Sequence, residues 1–152
     1  MIRVVTKKQN TDGTFPADWT TIGDFKVLGS PSAVLNTRPG RIAVAARGVD
    51  NLIYFAYETA AGSGQFGDWV VVSDPENHPE SVAASDPTTF AYDVPSGPSF
   101  GIAFQSTDDV DLPVVITFEP TAAGAGAQAK SAVPHAKFHK LPKPDKTARL
   151  KG

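Results

Sequence analysis

The sequence contains no cysteine. That excludes a disulfide framework and a thiolate metal site, so packing and hydrogen bonding must hold the chain together. No run approaches the roughly 18 to 20 apolar residues that a membrane-spanning helix needs. The opening, MIRVVTKKQN, lacks the long apolar core of a secretory signal and reads as a strand from residue 2. The expectation is cytoplasmic synthesis, with the chain staying in its compartment or leaving by a route without a cleaved signal. No convincing helix is present, and tryptophan is scarce, with Trp19 and Trp69 only.

Signatures of catalysis are missing too. No serine stands in a G-x-S-x-G setting. Gly62-Ser63-Gly64 is followed by neither Lys-Ser/Thr nor a helix, so it is not a phosphate loop. His78 lies in an acidic loop with Asp74, Glu76 and Glu80, which reads as solvated and not as a metal or acid–base site. Asp108, Asp109 and Asp111 lack the glycine and terminal glutamate of a calcium loop. His135 and His139 are four apart, but Pro134 and the prolines beyond oppose a helix that would join them. The expectation is a protein with no catalytic residues, no cofactor and no metal.

What is present is apolar alternation. The 152 residues are 41% hydrophobic, enough for one domain with a real core. Two β-rich runs, 41–47 and 52–57, are joined by Gly48-Val49-Asp50-Asn51, which is turn chemistry between strands. Further short strands are expected at 2–7, 18–23, 31–36, 68–73, 88–93, 100–105 and 113–119. About nine short antiparallel strands with turn signals between them predict an all-β fold. Trp19 and Trp69 each follow an Asp and stand 50 residues apart, and at that offset 2–7 falls on 52–57. The reading is a β domain over 1–120 with an imperfect repeat, 19–68 and 69–119. It allows two propeller-blade-like four-strand units, or alternatively a β-sandwich.

The net charge of −2 hides a split. Past an Ala/Gly hinge at 121–129 comes a Pro/Lys-rich stretch, 130–152, which reads as an extended basic arm. Residues 121–152 carry Lys130, Lys137, Lys140, Lys143, Lys146, Arg149 and Lys151 against Asp145 alone, a balance of +6, so the body holds −8. Val133, Phe138, Leu141 and Leu150 are spaced as apolar anchors along this arm. It suits an acidic protein surface better than nucleic acid, since it lacks interleaved aromatics and the body is acidic. The first functional expectation is a non-enzymatic subunit that oligomerises and docks onto a larger assembly through this arm, as a virion accessory or decoration protein would.

The second expectation comes from a resemblance. Trp19, Gly29, Pro31, Gly40-Arg41, Arg47-Gly48, Asp50-Asn51 and the apolar-aromatic run 52–55 together resemble the blade repeat of tectonin-like and bacterial fucose-binding propeller lectins. The resemblance covers 19–69 well and 70–119 poorly. It implies two propeller blades per chain, with glycan sites between blades built from Trp19, Arg41, Arg47, Tyr54 and Trp69. Two blades do not close a propeller, so this reading requires a homo-oligomer, with three copies around an axis favoured.

Overall fold

The computed structural model describes residues 2–37, 40–109, 112–118 and 136–143. Among the described residues nine strands run in chain order: β1 (Ile2–Thr6), β2 (Thr20–Asn36), β3 (Arg41–Gly48), β4 (Ile53–Tyr57), β5 (Val70–Val71), β6 (Thr88–Val94), β7 (Gly97–Gln105), β8 (Pro113–Phe118) and β9 (Ala136–Lys140). They form two antiparallel sheets, β1-β2-β3-β4-β5 and β6-β7-β8-β9, with one 3-10 turn at Pro79–Ser81 between them. Each strand pairs with its neighbour in sequence. This is the meander connectivity of a blade and not the interleaved order of a Greek key.

The β3–β4 hairpin forms as its turn residues dictate. Asn51 takes the left-handed region at φ 63°. Its N–H donates to Gly48 O at 2.9 Å, and Asp50 Oδ1 accepts the Leu52 N–H at 3.1 Å. A short polar side chain that bonds its own backbone tolerates this conformation.

Three strands differ from the reading of the sequence. The runs at 18–23 and 31–36 are halves of one 17-residue strand, β2. Asp24 and Lys26 are exposed while Phe25 and Val27 pack on one face, so period two holds over 24–27; it breaks at Gly23, φ 57°, which lets Ile22 join the same cluster as Val27 five residues on. The register of β2 against β3 shifts between Leu28 and Ser32, a bulge that accommodates Gly29 at φ 65° and Pro31. The run at 68–73 shortens to β5 and pairs with β4, so the sheets divide after residue 71 and not between 68 and 69. Finally, the second sheet takes its fourth strand from the stretch read as an arm. Ala136 lies opposite Phe118 and Lys140 opposite Val114.

The sheets pack face to face. Ala43, Ala45, Ile53 and Phe55 from the first meet Phe100, Ile102, Phe104, Val114, Ile116 and Phe118 from the second in one buried cluster. Phe118 stands between two rings, 4.6 Å from Phe100 and 5.6 Å from Phe55 by centroid. The other face of the first sheet holds a second cluster of Val4, Ile22, Val27, Val44, Ala46 and Ala56. Because β3 is covered on both faces, its sequence IAVAA is apolar without alternation, whereas β8 alternates buried and half-buried positions.

Side chains also clasp the sheets at their rim. Arg47 reaches Asp86 Oδ1 at 3.3 Å and donates to Ala84 O at 3.3 Å. Asp86 accepts the Ser30 N–H at 2.9 Å, and Ser32 Oγ accepts the Thr89 N–H at 2.9 Å.

Candidate functional site

The five residues proposed from the blade resemblance do not converge. Strand alternation puts Arg41 and Arg47 on the inner face of the first sheet, with Ala43 and Ala45. Arg47 is held in the rim clasp. Arg41 lies over the Tyr57 ring, 5.8 Å from its centroid. Tyr54 is on the opposite face, and Trp69 packs there against the second cluster. Trp19 precedes β2 on a loop.

On that opposite face Phe25 joins Tyr54 and Trp69. Its ring centroid is 4.3 Å from Tyr54 and 5.2 Å from Trp69. Trp69 Nε1 donates to Ile22 O at 2.7 Å, which ties the indole to β2. The Tyr54 hydroxyl donates to Asp50 Oδ2 at 2.7 Å. Burial, then this hydrogen bond and the Asp50 charge, push the phenol up to about 12 from its ordinary 10. A raised folded-state pKa contributes stability that is complete below pH 10 and is lost as pH rises toward 12. Alkaline unfolding of the intact chain should therefore steepen over that window, and Tyr54→Phe should reduce the steepening. An identical alkaline profile for the variant would refute the assignment.

Trp19 behaves differently from its sequence counterpart. It is 62% exposed, on a loop that also carries Phe15 at 58%. Lys7 Nζ sits 4.6 Å from the Trp19 ring centroid and donates to Ala17 O at 2.8 Å, so the cation fixes the ring against the loop. The loop is internally bonded. Asn10 and Thr14 close a turn through Asn10 N–H to Thr14 O at 2.8 Å, and Asp12 Oδ1 accepts both the Thr14 N–H at 2.9 Å and its hydroxyl at 2.6 Å. These two Thr14 bonds hold the Asp12 carboxyl below its ordinary range. The same loop forms an open cleft of about 570 Å³, lined by Lys8, Gln9, Asn10, Thr11, Asp12 and Pro16. Its amides, hydroxyls and carboxylate offer both donors and acceptors. In the sequence this loop shows only Asn10-Thr11-Asp12-Gly13, ordinary turn chemistry that does not mark a site.

A second concavity lies on the outer face of the second sheet. It is a shallow groove of about 270 Å³ between Phe90, Tyr92, Val115, Thr117, His139 and Leu141. Gly101 lies opposite both Phe90 and Thr117, and a Cβ there would collide with the Phe90 ring. Thr117 Oγ1 and His139 Nε2 share a hydrogen bond of 2.8 Å.

The described arm residues lie on or next to β9. The Phe138 ring stacks on His78 at 4.3 Å and packs against the main core. Lys140 Nζ is 3.8 Å from Glu80 Oε2, while His78 Nδ1 is 3.3 Å from Glu80 Oε1. Burial acts to raise the Glu80 pKa, but its own backbone N–H, His78 and Lys140 outweigh that and hold the carboxyl below its ordinary range. Lys143 pairs with Asp109. Lys137 lies opposite Thr117, and Leu141 lines the groove. Lys130, Lys146, Arg149, Leu150 and the hinge at 121–129 lie outside the described residues.

Fold and surface together define an all-β protein of two blade-like meanders, carrying an open loop cleft and an exposed indole. No family model matches the chain, and no curated protein matches it. Among solved structures the chain is similar to a fucose lectin from Kordia zhangzhouensis, solved in complex with methyl-fucoside. The likeness has a TM-score of 0.47 at 12% identity and covers 91% of this chain and 87% of that one.

Proposed function

We propose that this chain is a non-enzymatic carbohydrate-binding protein whose sugar contacts are Trp19 and the polar loop 8–16. The observation that carries the reading is the Trp19 indole, held by Lys7 on a hydrogen-bonded loop yet 62% exposed. Leaving a large aromatic in water forgoes about 3 kcal/mol of burial. A binding surface recovers it when a ligand covers the ring. The C–H face of a pyranose is apolar and weakly electropositive, which matches the negative face of an aromatic ring. The sugar's hydroxyls both donate and accept, as do Gln9, Asn10, Thr11 and Asp12 in the cleft of the same loop.

The test uses the two tryptophans. Trp19 is exposed and Trp69 is half-buried and tied to Ile22, so a sugar on the loop perturbs the emission of one indole and not the other. A broad panel of simple sugars at millimolar concentration, methyl-fucoside included, should contain at least one that shifts the emission and raises the melting temperature by mass action. Trp19→Ala should weaken that sugar's apparent affinity by about 10-fold, a loss of 1.4 kcal/mol. Fold stability should stay within about 0.5 kcal/mol, because the residue is a surface one. No response to any sugar, or an unchanged affinity in Trp19→Ala, would overturn the reading.

The docking alternative meets a competing use of its lysines. Lys140 and Lys143 are already paired with Glu80 and Asp109 of the same chain.

A further inference from the structure

We propose that β9 is an exchangeable strand, which pairs with β8 of a second copy of this chain through the same contacts that it makes with its own. This inference is independent of the sugar reading. It starts from the register of the hairpin. Phe118 and Ala136 lie directly opposite each other, so an antiparallel turn of two to five residues would join them. The sequence places 17 residues, 119–135, in that connection. The connection is rich in Ala and Gly, and Val133 is its one Val, Ile, Leu, Met or Phe residue.

What holds β9 is instead a set of contacts that either copy can provide. Main-chain pairing runs along β8 from Val114 to Phe118. Phe138 packs against the core and stacks on His78. Lys140 meets Glu80, and Lys143 meets Asp109. These ion pairs are the local form of the larger charge division, a +6 C-terminal stretch against a −8 body. The same attraction that seats the strand in its own chain draws it to the body of a neighbour. Without β9, strand β8 would present an open edge with Val114, Ile116 and Phe118 on its inner face. Reciprocal exchange between two copies leaves no such edge and preserves every contact, which is why swapping is a low-cost route to dimers.

The absence of cysteine makes the test clean. Thr117 and Lys137 are directly opposite on β8 and β9, so thiols placed there fall within disulfide reach. One full-length population carries Thr117→Cys and the other Lys137→Cys. The two are mixed at high concentration, incubated and oxidised. Exchange gives a mixed disulfide dimer several-fold in excess of either homodimer. A mixture with no such excess overturns the proposal, and the double variant T117C/K137C shows in the same gel that the positions can be bridged within one chain. Light scattering of the unmodified full chain over a concentration series is the second readout. A dimer that disappears when 119–135 is shortened to four residues supports exchange. A monomer at every concentration overturns it whatever the thiols do.

Discussion

Phe118→Ala lowers the unfolding free energy by about 3–5 kcal/mol, the largest loss expected from any single substitution in this chain. The side chain is almost fully buried and joins the sheets by touching Phe100 and Phe55 at once. Truncation removes most of its apolar surface and leaves a void between two rings. Those rings sit on strands pinned by main-chain ladders, so they cannot close over it. Domains of this size are stable by about 5–15 kcal/mol, so the variant loses a large share of the total. Urea unfolding should show a lowered midpoint with an unchanged slope. Leu35→Ala, at an exposed position of β2, is the control and should shift the stability by no more than about 0.5 kcal/mol. Equal effects at the two positions would mean that the sheets do not pack through Phe118.

Gly29→Ala has the second-largest expected effect, roughly 2–4 kcal/mol. Two costs combine. The residue has φ 65°, where an added Cβ costs about 1–2 kcal/mol. That Cβ would also overlap Asp86 Oδ1 and expel the carboxylate. Arg47 then loses its ion pair and the Ser30 N–H its acceptor. Hydrogen bonds to charged groups contribute about 1.5–3 kcal/mol each, reduced here because Asp86 is partly solvated. A double-mutant cycle with Asp86→Ala separates the terms. Once the carboxylate is gone the overlap is gone, so G29A/D86A should be less destabilised than the sum of the single variants by at least about 0.5 kcal/mol. Strict additivity would show that Gly29 is needed for its backbone angle alone.

These two residues mark where the sequence was legible. Phe118 stands in a run whose buried residues alternate with half-buried ones, and period two on one covered face names its own core residues. The β3–β4 hairpin was equally readable, because the Gly-Val-Asp-Asn turn closes through bonds between residues no more than four apart. Gly29 carries a local signal too, a Gly-Ser-Pro bulge. The partner that makes it matter, Asp86, is 57 residues away, and no local pattern links the two.

The candidate site was less readable for the same reason. Trp19 and Trp69 share an Asp-Trp context, yet one indole is tied under β2 and the other stands in water over Lys7. Arg47 and Tyr54 lie close in sequence on paired strands, but strand parity sends them to opposite faces. Phe25 was hidden between Asp24 and Lys26, and only packing against Tyr54 and Trp69 reveals it.

The all-β class and the β3–β4 turn follow from the sequence alone, because alternation and turn chemistry are interactions between near neighbours, whereas the matching strand total hides one merged pair and one strand drawn from the basic stretch. Which sheet each strand joins is set by long-range packing. It moved β5 to the first sheet and drew β9 from the basic stretch onto β8. Those choices rest on burial of Phe138, on ion pairs such as Lys140 with Glu80, and on the need to cover the β8 edge. Each joins residues tens of positions apart, where the connecting chain carries no record of the contact.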